Sequence, residues 1–442
     1  MHRASEDTQK RQRRDLGEPG QKMTPPFIGA KGDATSLNKR QLPKVAEIAP
    51  LLQIKRPTLS PLKRRLQNAT CIADLRSVAK HVTPRSVFEY VDGAADEEVS
   101  IRLIREEYRH IKFRPRILRD VSTVDPSTQI LGQSSSMPLV FAPTGYSRMM
   151  HHEGEIGVGR AATELGVPYG LSTVATTSPE DLRAACPDAN LWFQLYMWSD
   201  RAESRRLVLR AHDAGYSALV LTVDTAVPGY RRRDVRNGLS IPPQLTARTI
   251  IDMARHPTWW ANKLTTPALK FACAPESWTR GGMDKAKSMF DPSVTFDDVE
   301  WLRTIWPGKL VVKGVQTKAD AKSVVERGVD AMVLSNHGGR QMDRTQSVLS
   351  LLPEVVAECG DDAEILIDSG ITCGADILAA VALGAKAALV GRAYLYGLMA
   401  GGERGVLRAG QLLESEIRNS MGLLGVRRVQ ELTPDLVQLP RM

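Results

Sequence analysis

Eight short apolar runs alternate with amphipathic stretches, and this alternation constrains the fold more than any other feature of the chain. The runs are Pro138–Ala142, Tyr169–Ser172, Leu191–Leu195, Ala218–Thr222, Lys309–Lys313, Ala331–Ser335, Glu364–Asp368 and Ala387–Gly391. The helical stretches between them include Glu153–Leu165, Ala202–Ala214, Lys318–Arg327, Val348–Cys359 and Gly374–Leu383. Continuously apolar strands that alternate with helices are typical of parallel sheets buried on both faces. The pattern predicts an α/β protein with a closed (β/α)₈ barrel of the TIM type, and an open doubly wound sheet is the alternative.

Three regions lie outside this alternation. Residues 1–46 are rich in Gln, Pro, Gly and Lys/Arg and lack a hydrophobic period, so we expect a disordered basic leader. An N-terminal helical segment is predicted from Ile72 to Tyr90, with a break near Pro84. A long connection follows the fourth strand, from about Ala226 to Asp297. The expected barrel domain therefore spans residues 47–442.

The formal net charge of +9 raises the question of a nucleic-acid or membrane partner. Residues 1–68 hold fifteen Lys and Arg against six Asp and Glu, which accounts for all of this charge. The rest of the chain is neutral, which argues against a nucleic-acid-binding face on the barrel. The five cysteines are scattered and never form a C-x-x-C pair. This usage argues against disulfides or a zinc site and is typical of a cytoplasmic protein.

Polar or charged residues occur at the end of every apolar run. The carboxyl ends of the strands meet at one rim of a (β/α)₈ barrel, and the chemistry of such barrels is located there. We therefore expect a site formed by Pro143, Thr144 and Gly145, Ser172, Gln194 and Tyr196, Thr222 and Asp224, Lys313, Asn336 and His337, Asp368, Ser369 and Gly370, and Gly391 and Arg392. Lys313 supports a functional site, because an unpaired lysine at the end of a buried strand is costly.

The segment Ser335-Asn-His-Gly-Gly-Arg-Gln341 carries the most specific chemistry in the sequence. The two glycines between His337 and Arg340 allow the backbone to approach a ligand closely. A guanidinium binds a carboxylate through two parallel hydrogen bonds, and a neutral imidazole accepts a proton. The pair therefore suits a small 2-hydroxy acid, in which a carboxylate and a hydroxyl group lie on neighbouring carbons.

Several motifs, in order along the chain from about Ile72 to Pro440, resemble those of the FMN-dependent 2-hydroxy-acid dehydrogenases and oxidases. They are Phe88-Glu-Tyr-Val-Asp-Gly93, Ala142-Pro-Thr-Gly145, Glu153-Gly-Glu155, Phe193-Gln-Leu-Tyr196, Leu221-Thr-Val-Asp224, Val312-Lys-Gly314, Ser335–Gln341 and Gly391-Arg392. Pro50–Gln53, Trp306–Lys309 and Tyr394–Gly402 are similar to the actinobacterial respiratory L-lactate dehydrogenases. The resemblance implies FMN as the cofactor, an L-2-hydroxy acid such as L-lactate as the substrate, and a homotetramer.

The resemblance also implies roles for individual residues. His337 would be the catalytic base, Asp224 would stabilise the imidazolium, and Lys313 would lie near N1 and O2 of the flavin. Tyr196 also belongs to the implied catalytic set. Substrate contacts are implied for Tyr90, Tyr196, Arg231 and Arg340. Further cofactor contacts are implied for Pro143, Thr144, Gly145, Ser172, Gln194, Thr222, Ser335, Asp368, Ser369, Gly370, Gly391 and Arg392. Beside Arg231, we expect Arg232 and Arg233 to be solvated.

Two features depart from the family pattern. Many members carry Asp-Gly-Gly-x-Arg after the seventh strand, whereas this chain has Thr372 in place of the arginine, so one charge near the phosphate is missing. Phosphate binding would then rest on Arg392, backbone amides and a helix N-terminus. In His151-His-Glu153, adjacent histidines are expected to point apart, and no metal site is predicted. Val174, expected to face the substrate, is small enough to admit lactate and a bulkier acid such as mandelate.

The electron acceptor is less constrained by the sequence than the substrate. Trp259 and Trp260 in the long connection suit a membrane interface, so we expect peripheral attachment to the inner face of the cell membrane and electron transfer to quinone. An oxidase that uses oxygen and releases hydrogen peroxide is the alternative, as is a mandelate-type dehydrogenase. An FMN-barrel isomerase is disfavoured, because the histidine and arginines do not suit a diphosphate. The segment 157–162 matches a dinucleotide pattern but falls inside a predicted helix, which argues against NAD.

Overall fold

A computed structural model describes residues 61–238, 247–264, 266, 269–274 and 290–440 of the 442-residue chain. These residues belong to the compact unit Thr58–Met442. The predicted leader at 1–46 and the segment Pro50–Gln53 lie outside the described residues, so those two predictions are not addressed by the structure.

Eight parallel strands close into a barrel, which confirms the predicted fold. The strands in chain order are β1 (Lys112–Phe113), β2 (Thr128–Ile130), β3 (Gln133–Ser135), β4 (Leu139–Thr144), β5 (Tyr169–Ser172), β6 (Leu191–Leu195), β7 (Ala218–Thr222), β8 (Lys309–Val315), β9 (Ala331–Leu334), β10 (Glu364–Ile367), β11 (Ala387–Val390) and β12 (Val437–Gln438). Strands β4 to β11 form the barrel in sequential order, and β11 pairs with β4 to close it. The barrel strands coincide with the predicted apolar runs because both of their faces are buried.

Helices cover the outside of the barrel and precede it. They are α1 (Pro61–Asn68), α2 (Ile72–Val82), α3 (Arg85–Asp92), α4 (Val99–His110), α5 (Ser147–Met150), α6 (Gly154–Leu165), α7 (Pro179–Ala185), α8 (Arg201–Asp213), α9 (Arg232–Arg236), α10 (Ala247–Ala254), α11 (Pro257–Leu264), α12 (Phe296–Ile305), α13 (Lys318–Val325), α14 (Val348–Cys359), α15 (Gly374–Ala382) and α16 (Arg392–Leu424). The break predicted near Pro84 separates α2 from α3. The segment 157–162 lies within α6, as predicted.

Side-chain caps fix where several of the outer helices begin. Ser178 accepts a hydrogen bond from the amide of Asp181 at the start of α7, and Thr317 accepts one from Asp320 at the start of α13. Thr295 begins α12 in a capping box. Such caps satisfy amides that have no partner within the helix. They therefore set the length of each connection that leads from a strand to its helix.

The amino end of the barrel is closed by the hairpin of β2 and β3, which was not predicted. Ile130 and Leu131 from this hairpin are buried with the inward-facing residues of the barrel, including Trp192 and Leu366. The amide of Leu131 donates to the carboxylate of Glu364 at 2.9 Å. Because side chains fill this end, the carboxyl end of the strands is where the barrel is expected to bind its ligand.

Helix α16 is 33 residues long and bends at Gly401 and Gly402. Gly402 has a φ of 62°, and a side chain there would collide with the carboxylate of Glu153. The helix packs against α2 and α6 and so joins the N-terminal segment to the barrel. Within the described residues, no helix has the length and apolar character needed to cross a membrane.

Candidate active site

A histidine and an aspartate form the most direct catalytic pair at the carboxyl rim of the barrel. His337 follows β9, Asp224 follows β7, and the Nδ1 of His337 lies 3.0 Å from Oδ1 of Asp224. Asp224 is almost fully buried, whereas the imidazole is 24% exposed. Burial raises the pKa of Asp224, but the charges of His337 and Lys313 outweigh it and hold this pKa below its ordinary value. The carboxylate therefore orients the ring and leaves Nε2 for proton transfer.

Lys313 on β8 is buried, and its ammonium group has both a hydrogen-bond partner and an ion-pair partner. Its Nζ donates to Oγ of Ser335 at 2.8 Å and forms an ion pair with Asp368 at 2.7 Å. Burial lowers the pKa of Lys313, but Asp368 and Asp224 outweigh this and raise it. Ser369 donates to Asp368 at 2.8 Å and accepts a hydrogen bond from an amide of the His337 turn. The predicted residues of β8, β9 and β10 thus form one hydrogen-bonded network with a fixed positive charge.

Two buried donors on β6 and β7 have no partner within the described residues. Ser172 donates to Oε1 of Gln194 at 2.9 Å, which leaves Nε2 of Gln194 buried and unpaired. The hydroxyl of Thr222, on the neighbouring strand, is also buried and unpaired. Leaving such groups unsatisfied costs about 1–3 kcal/mol each. Their position at the carboxyl rim therefore suits the binding of a polar ligand in the barrel mouth.

Two arginines and a tyrosine form a positively charged wall. The guanidinium carbons of Arg340 and Arg231 lie 5.0 and 5.9 Å from the ring centre of Tyr90. Arg340 donates to the carbonyl oxygens of Tyr90 at 2.6 Å and Gly93 at 3.1 Å, and Arg231 donates to Asp234 at 2.7 Å. Burial and the charge of Arg231 lower the pKa of Arg340. A substrate carboxylate would relieve this repulsion.

Tyr196 lies near this wall and is half-buried. Burial, with the charge of Asp224 adding to it, raises the pKa of the Tyr196 hydroxyl, so the hydroxyl keeps its proton at neutral pH. Its ring contacts Phe290, with ring centres 4.9 Å apart. The structure therefore brings Tyr196 into the same electrostatic environment as Asp224, Arg231 and Arg340, as the sequence predicted.

The loop after β4 contacts the loop after β5. A Cβ placed on Gly145 would lie 2.2 Å from a methyl carbon of Val174, so only glycine fits. The hydroxyl of Thr144 lies 2.6 Å from the hydroxyl of Tyr394 and is therefore engaged in the barrel wall. Pro143 and Gly145 leave only small surfaces at the rim. A flat ligand can consequently approach the backbone of this loop.

A second cluster of arginines lies where the sequence predicted phosphate binding. Arg392 follows Gly391 at the start of α16 and donates to the carbonyl oxygens of Val91 and Gly93 at 3.1 and 2.8 Å. Burial and the charges of Arg340 and Arg105 lower the pKa of Arg392 to about 10. Within the described residues, no carboxylate lies within ion-pair distance of Arg392. The cluster therefore lacks the anion that its charge requires.

Arg105 on α4 was missed by the sequence analysis. Its Nε is buried and has no hydrogen-bond partner within the described part of the chain. Thr372, which stands where many relatives carry an arginine, bonds to Asp376 through its amide at 2.8 Å and its hydroxyl at 3.3 Å. No strand end marks Arg105, because it lies in the middle of an amphipathic helix. Only the folded structure, in which its charge acts on Arg392, identifies it.

Two sequence predictions outside the rim were wrong. The rings of His151 and His152 do not point apart, because their centres are 4.4 Å apart, and with Glu153 they form a group whose donor atoms lie within 4.8 Å. The Oε2 atom of Glu153 already accepts a hydrogen bond from the amide of Glu403 at 2.6 Å. Arg233 is not simply solvated, because it forms ion pairs with the buried Asp92 and with Glu98.

The fold and the site together define a (β/α)₈-barrel enzyme. Its carboxyl rim offers a histidine–aspartate pair, a cationic wall for a carboxylate, unpaired donors for a planar polar ligand and a cluster of arginines. Such a rim supports proton removal next to a bound cofactor.

The chain matches the FMN-dependent dehydrogenase family over residues 79–439 and belongs to that family. It is therefore an oxidoreductase that acts on a 2-hydroxy acid and uses FMN.

Relatives of known name cover almost the whole chain. A putative L-lactate dehydrogenase of Mycobacterium tuberculosis is 52% identical over 404 residues, which cover 91% of this chain and 97% of that protein. The (S)-mandelate dehydrogenase of Pseudomonas putida is 38% identical and covers 84% of this chain and 94% of its own length. A solved structure described as a monotopic membrane protein, (S)-mandelate dehydrogenase, superposes with a TM-score of 0.81 at 37% identity, covering 85% of this chain and all of that one.

The residues at the rim fit FMN. The unpaired donors of Gln194 and Thr222 match the polar edge of an isoalloxazine ring, and the charge of Lys313 matches the electron-rich side of that ring. Arg392 and Arg105 would place positive charge beside a bound phosphate. The chemistry of these donors thus agrees with the cofactor of the family.

Proposed function

We propose that the protein oxidises L-lactate to pyruvate. The observation that carries this proposal is the position of the His337–Asp224 pair beside the cationic wall of Arg231 and Arg340. A 2-hydroxy acid presents its carboxylate and its hydroxyl on adjacent carbons, and the two parts of the rim match these two groups. The 52% identical relative named as a putative L-lactate dehydrogenase supports lactate among the 2-hydroxy acids.

The side chains of the rim then act in a defined order. Arg231 and Arg340 bind the substrate carboxylate and place the hydroxyl-bearing carbon near His337. Nε2 of His337 removes a proton, and Asp224 stabilises the imidazolium that results. Bound FMN supplies the acceptor for the two electrons that leave the substrate. The fixed charge of Lys313, held by Asp368, remains on the cofactor side throughout.

Mandelate is the second candidate substrate. The (S)-mandelate dehydrogenase of Pseudomonas putida is 38% identical to this chain, and the small Val174 leaves room for a side chain larger than methyl. The decisive experiment compares kcat/KM for L-lactate, (S)-mandelate and glycolate with an artificial electron acceptor. The proposal expects L-lactate to have the highest value. A higher kcat/KM for (S)-mandelate would mean that mandelate, and not lactate, is the substrate. No turnover with any 2-hydroxy acid would refute the proposed function.

We further propose that the electrons pass to a membrane quinone, with the long connection in contact with the lipid. A relative of known structure is described as a monotopic membrane protein, which supports this proposal. Trp259 itself does not face outward, since its Nε1 donates to the carbonyl oxygen of Met149 at 3.1 Å and its ring packs on the core. Ile251 on α10 is 56% exposed and provides an outward apolar side chain instead.

A charge substitution tests the lipid contact. The Ile251→Glu variant should lose binding to anionic lipid vesicles and ubiquinone reductase activity, while its turnover with a soluble acceptor stays unchanged. Leu103→Glu is the control, because Leu103 is equally exposed at 58% but lies on α4. Retained vesicle binding and quinone reduction in Ile251→Glu would contradict the proposal.

The expected homotetramer is tested separately by light scattering of the purified holoenzyme, where a monomer mass would refute it.

A further inference from the structure

Glu155 on α6 is a fully buried carboxylate that the reaction itself does not use. Its Oε1 accepts hydrogen bonds from the amides of Ser147 at 3.1 Å and Thr176 at 2.9 Å. Its Oε2 accepts hydrogen bonds from the hydroxyls of Thr176 at 2.6 Å and Thr177 at 3.0 Å. Burying a carboxylate is energetically unfavourable because it loses its hydration, and hydrogen bonds from four donors at these distances offset this loss.

The four donors belong to two different loops of the rim. Ser147 follows β4, and Thr176 and Thr177 follow β5. Between β4 and Ser147 lies Gly145, and between β5 and Thr176 lies Val174. One carboxylate therefore fixes both loops from below the rim.

The two loops also touch each other directly above Glu155. The amide of Tyr146 donates to the carbonyl oxygen of Val174 at 3.0 Å. Gly145 is so close to Val174 that any side chain at position 145 would overlap it. Tyr146 has a φ of 61°, a strained conformation for a residue other than glycine, which persists only where the surroundings hold it. The separation of the loops is therefore set by contacts, and Glu155 supplies four charge-assisted hydrogen bonds among them.

The described part of the long connection rests on the same two loops. The ring of Phe271 packs on Tyr146, with ring centres 4.9 Å apart, and the amide of Ala272 donates to the carbonyl oxygen of Ala175 at 3.0 Å. A shift of either loop would therefore change the positions of both Val174 and residues 269–274.

We propose that Glu155 is a positioning residue that sets the size of the pocket for the substrate side chain. It holds the loop that carries Val174 against the loop that carries Gly145. The side of the pocket formed by Val174 therefore cannot move away from the substrate. The inference rests on the proposed function, in which Val174 faces the side chain of a 2-hydroxy acid. Removing the carboxylate should loosen this wall and shift preference toward larger acids.

Ligand binding to the holoenzyme tests the proposal without turnover. The variants are Glu155→Gln and Glu155→Ala, and the probes are acetate and phenylacetate, whose dissociation constants are read from the perturbed flavin absorbance. We expect the ratio of the two constants to shift about tenfold toward phenylacetate in Glu155→Ala, as the loss of charge-assisted hydrogen bonds would produce, and less in Glu155→Gln. The ratio of KM for (S)-mandelate and L-lactate should shift in the same direction.

Glu107→Gln is the matched control. Glu107 is also a buried glutamate, and it accepts hydrogen bonds from the hydroxyls of Ser347 and Ser350, away from the two loops. Its substitution should leave both ratios unchanged, which separates positioning from a general loss of stability. If Glu155→Ala does not fold, Thr177→Val removes a single donor and should shift the ratios in the same direction.

Two results would overturn the inference. Unchanged ratios in folded Glu155→Gln and Thr177→Val would show that Glu155 supports the fold alone, and equal shifts in Glu107→Gln would show that any loss of stability has this effect. Failure of the proposed function has a different signature, namely wild-type flavin that no 2-hydroxy acid reduces. The binding ratios for acetate and phenylacetate remain measurable in that case.

Discussion

His337 adopts a left-handed backbone conformation, with a φ of 56°, which is uncommon outside glycine. The turn is held by hydrogen bonds from the amides of His337 to Ser335 and of Gly338 to Ser369, both at 3.0 Å. Backbone strain of this kind costs of the order of 1–3 kcal/mol and is found where a side chain must be aimed. The turn places the imidazole against Asp224, and the hydrogen bond to this carboxylate favours the tautomer with the proton on Nδ1.

Substituting the partner of the histidine tests this orientation. Asp224→Asn keeps the size of the side chain but removes the charge that stabilises an imidazolium, so flavin reduction by L-lactate should slow by about 10²- to 10⁴-fold. Stopped-flow absorbance measures the rate. Asp213→Asn, on the exposed end of α8, serves as the control. A rate within a few-fold of wild type in Asp224→Asn would contradict the role assigned to the pair.

Lys313 and Asp368 should behave as a coupled pair. Lys313→Met leaves a buried carboxylate without its cation, which should lower the free energy of unfolding by roughly 3 kcal/mol. The double variant Lys313→Met/Asp368→Asn should recover much of this stability but not FMN affinity. Urea unfolding and FMN titration of the apoprotein give the two values. Additive losses in the double variant would show that the two residues do not interact.

Arg105 should contribute to phosphate binding. Its Nε has no partner among the described residues, and its charge lowers the pKa of Arg392, whereas Thr372 carries no charge. Arg105→Gln should weaken FMN binding by about tenfold or more, since a charged hydrogen bond is lost. Arg109→Gln on the same helix is the control, because Arg109 is 75% exposed. Equal FMN dissociation constants in both variants would exclude Arg105 from the cofactor site.

At the scale of elements, Asp92 joins four helices through one carboxylate. It accepts hydrogen bonds from Arg76 on α2 at 2.6 Å, Tyr396 on α16 at 2.8 Å and Arg233 on α9 at 3.1 Å, while it lies itself at the end of α3. Burial would raise its pKa, but these three partners lower the pKa of Asp92 to about 2. The helical N-terminal segment is thereby attached to the barrel and to the long connection.

This lowered pKa predicts a defined dependence of stability on pH. A carboxyl whose pKa is lower in the folded state stabilises the protein above its unfolded pKa, and this contribution is lost as pH falls toward the folded value. Between about pH 4 and pH 2, the free energy of unfolding of the wild type should therefore fall by roughly 2 kcal/mol. The Asp92→Asn variant lacks this contribution at every pH, so its stability should not show this fall. Urea unfolding at pH 7 and pH 3 should already show about half of the wild-type loss, roughly 1 kcal/mol. Parallel curves for the two proteins would contradict this account of Asp92.

The sequence predicted some elements well and others not at all, for physical reasons. The barrel strands were located correctly because they are buried on both faces and therefore read as continuous apolar runs. The hairpin of β2 and β3 was missed because two strands of three residues carry too little pattern. The length of α16 was also missed, since Gly401 and Gly402 suggest an end where the structure has a bend.

The site shows the same division. Residues at strand ends were predicted, because barrel topology alone brings them to one rim. Arg105 and Glu155 could not be assigned roles from the sequence. Both lie inside helices, and their interactions with other elements exist only after folding. The pairing of Lys313 with Asp368 likewise depends on the register of β8, β9 and β10.

In the whole molecule, the two ends of the barrel differ: the amino end is packed with side chains that stabilise the fold, and the carboxyl end carries the candidate active site. The amino end is sealed by Ile130 and Leu131, whereas the carboxyl end gathers the histidine, the lysine and both groups of arginines. This polarity leaves the loops of the carboxyl end free to change without altering the strands that form the barrel.

Anaerobic mixing of the holoenzyme with L-lactate tests the central claim most directly. The visible flavin absorbance is recorded before and after the addition, and D-lactate is added to a second sample. The account predicts prompt bleaching with L-lactate, with release of one pyruvate per flavin, and no bleaching with D-lactate. A flavin that stays oxidised with L-lactate, (S)-mandelate and glycolate alike would contradict the assignment of the rim as a site for oxidising 2-hydroxy acids.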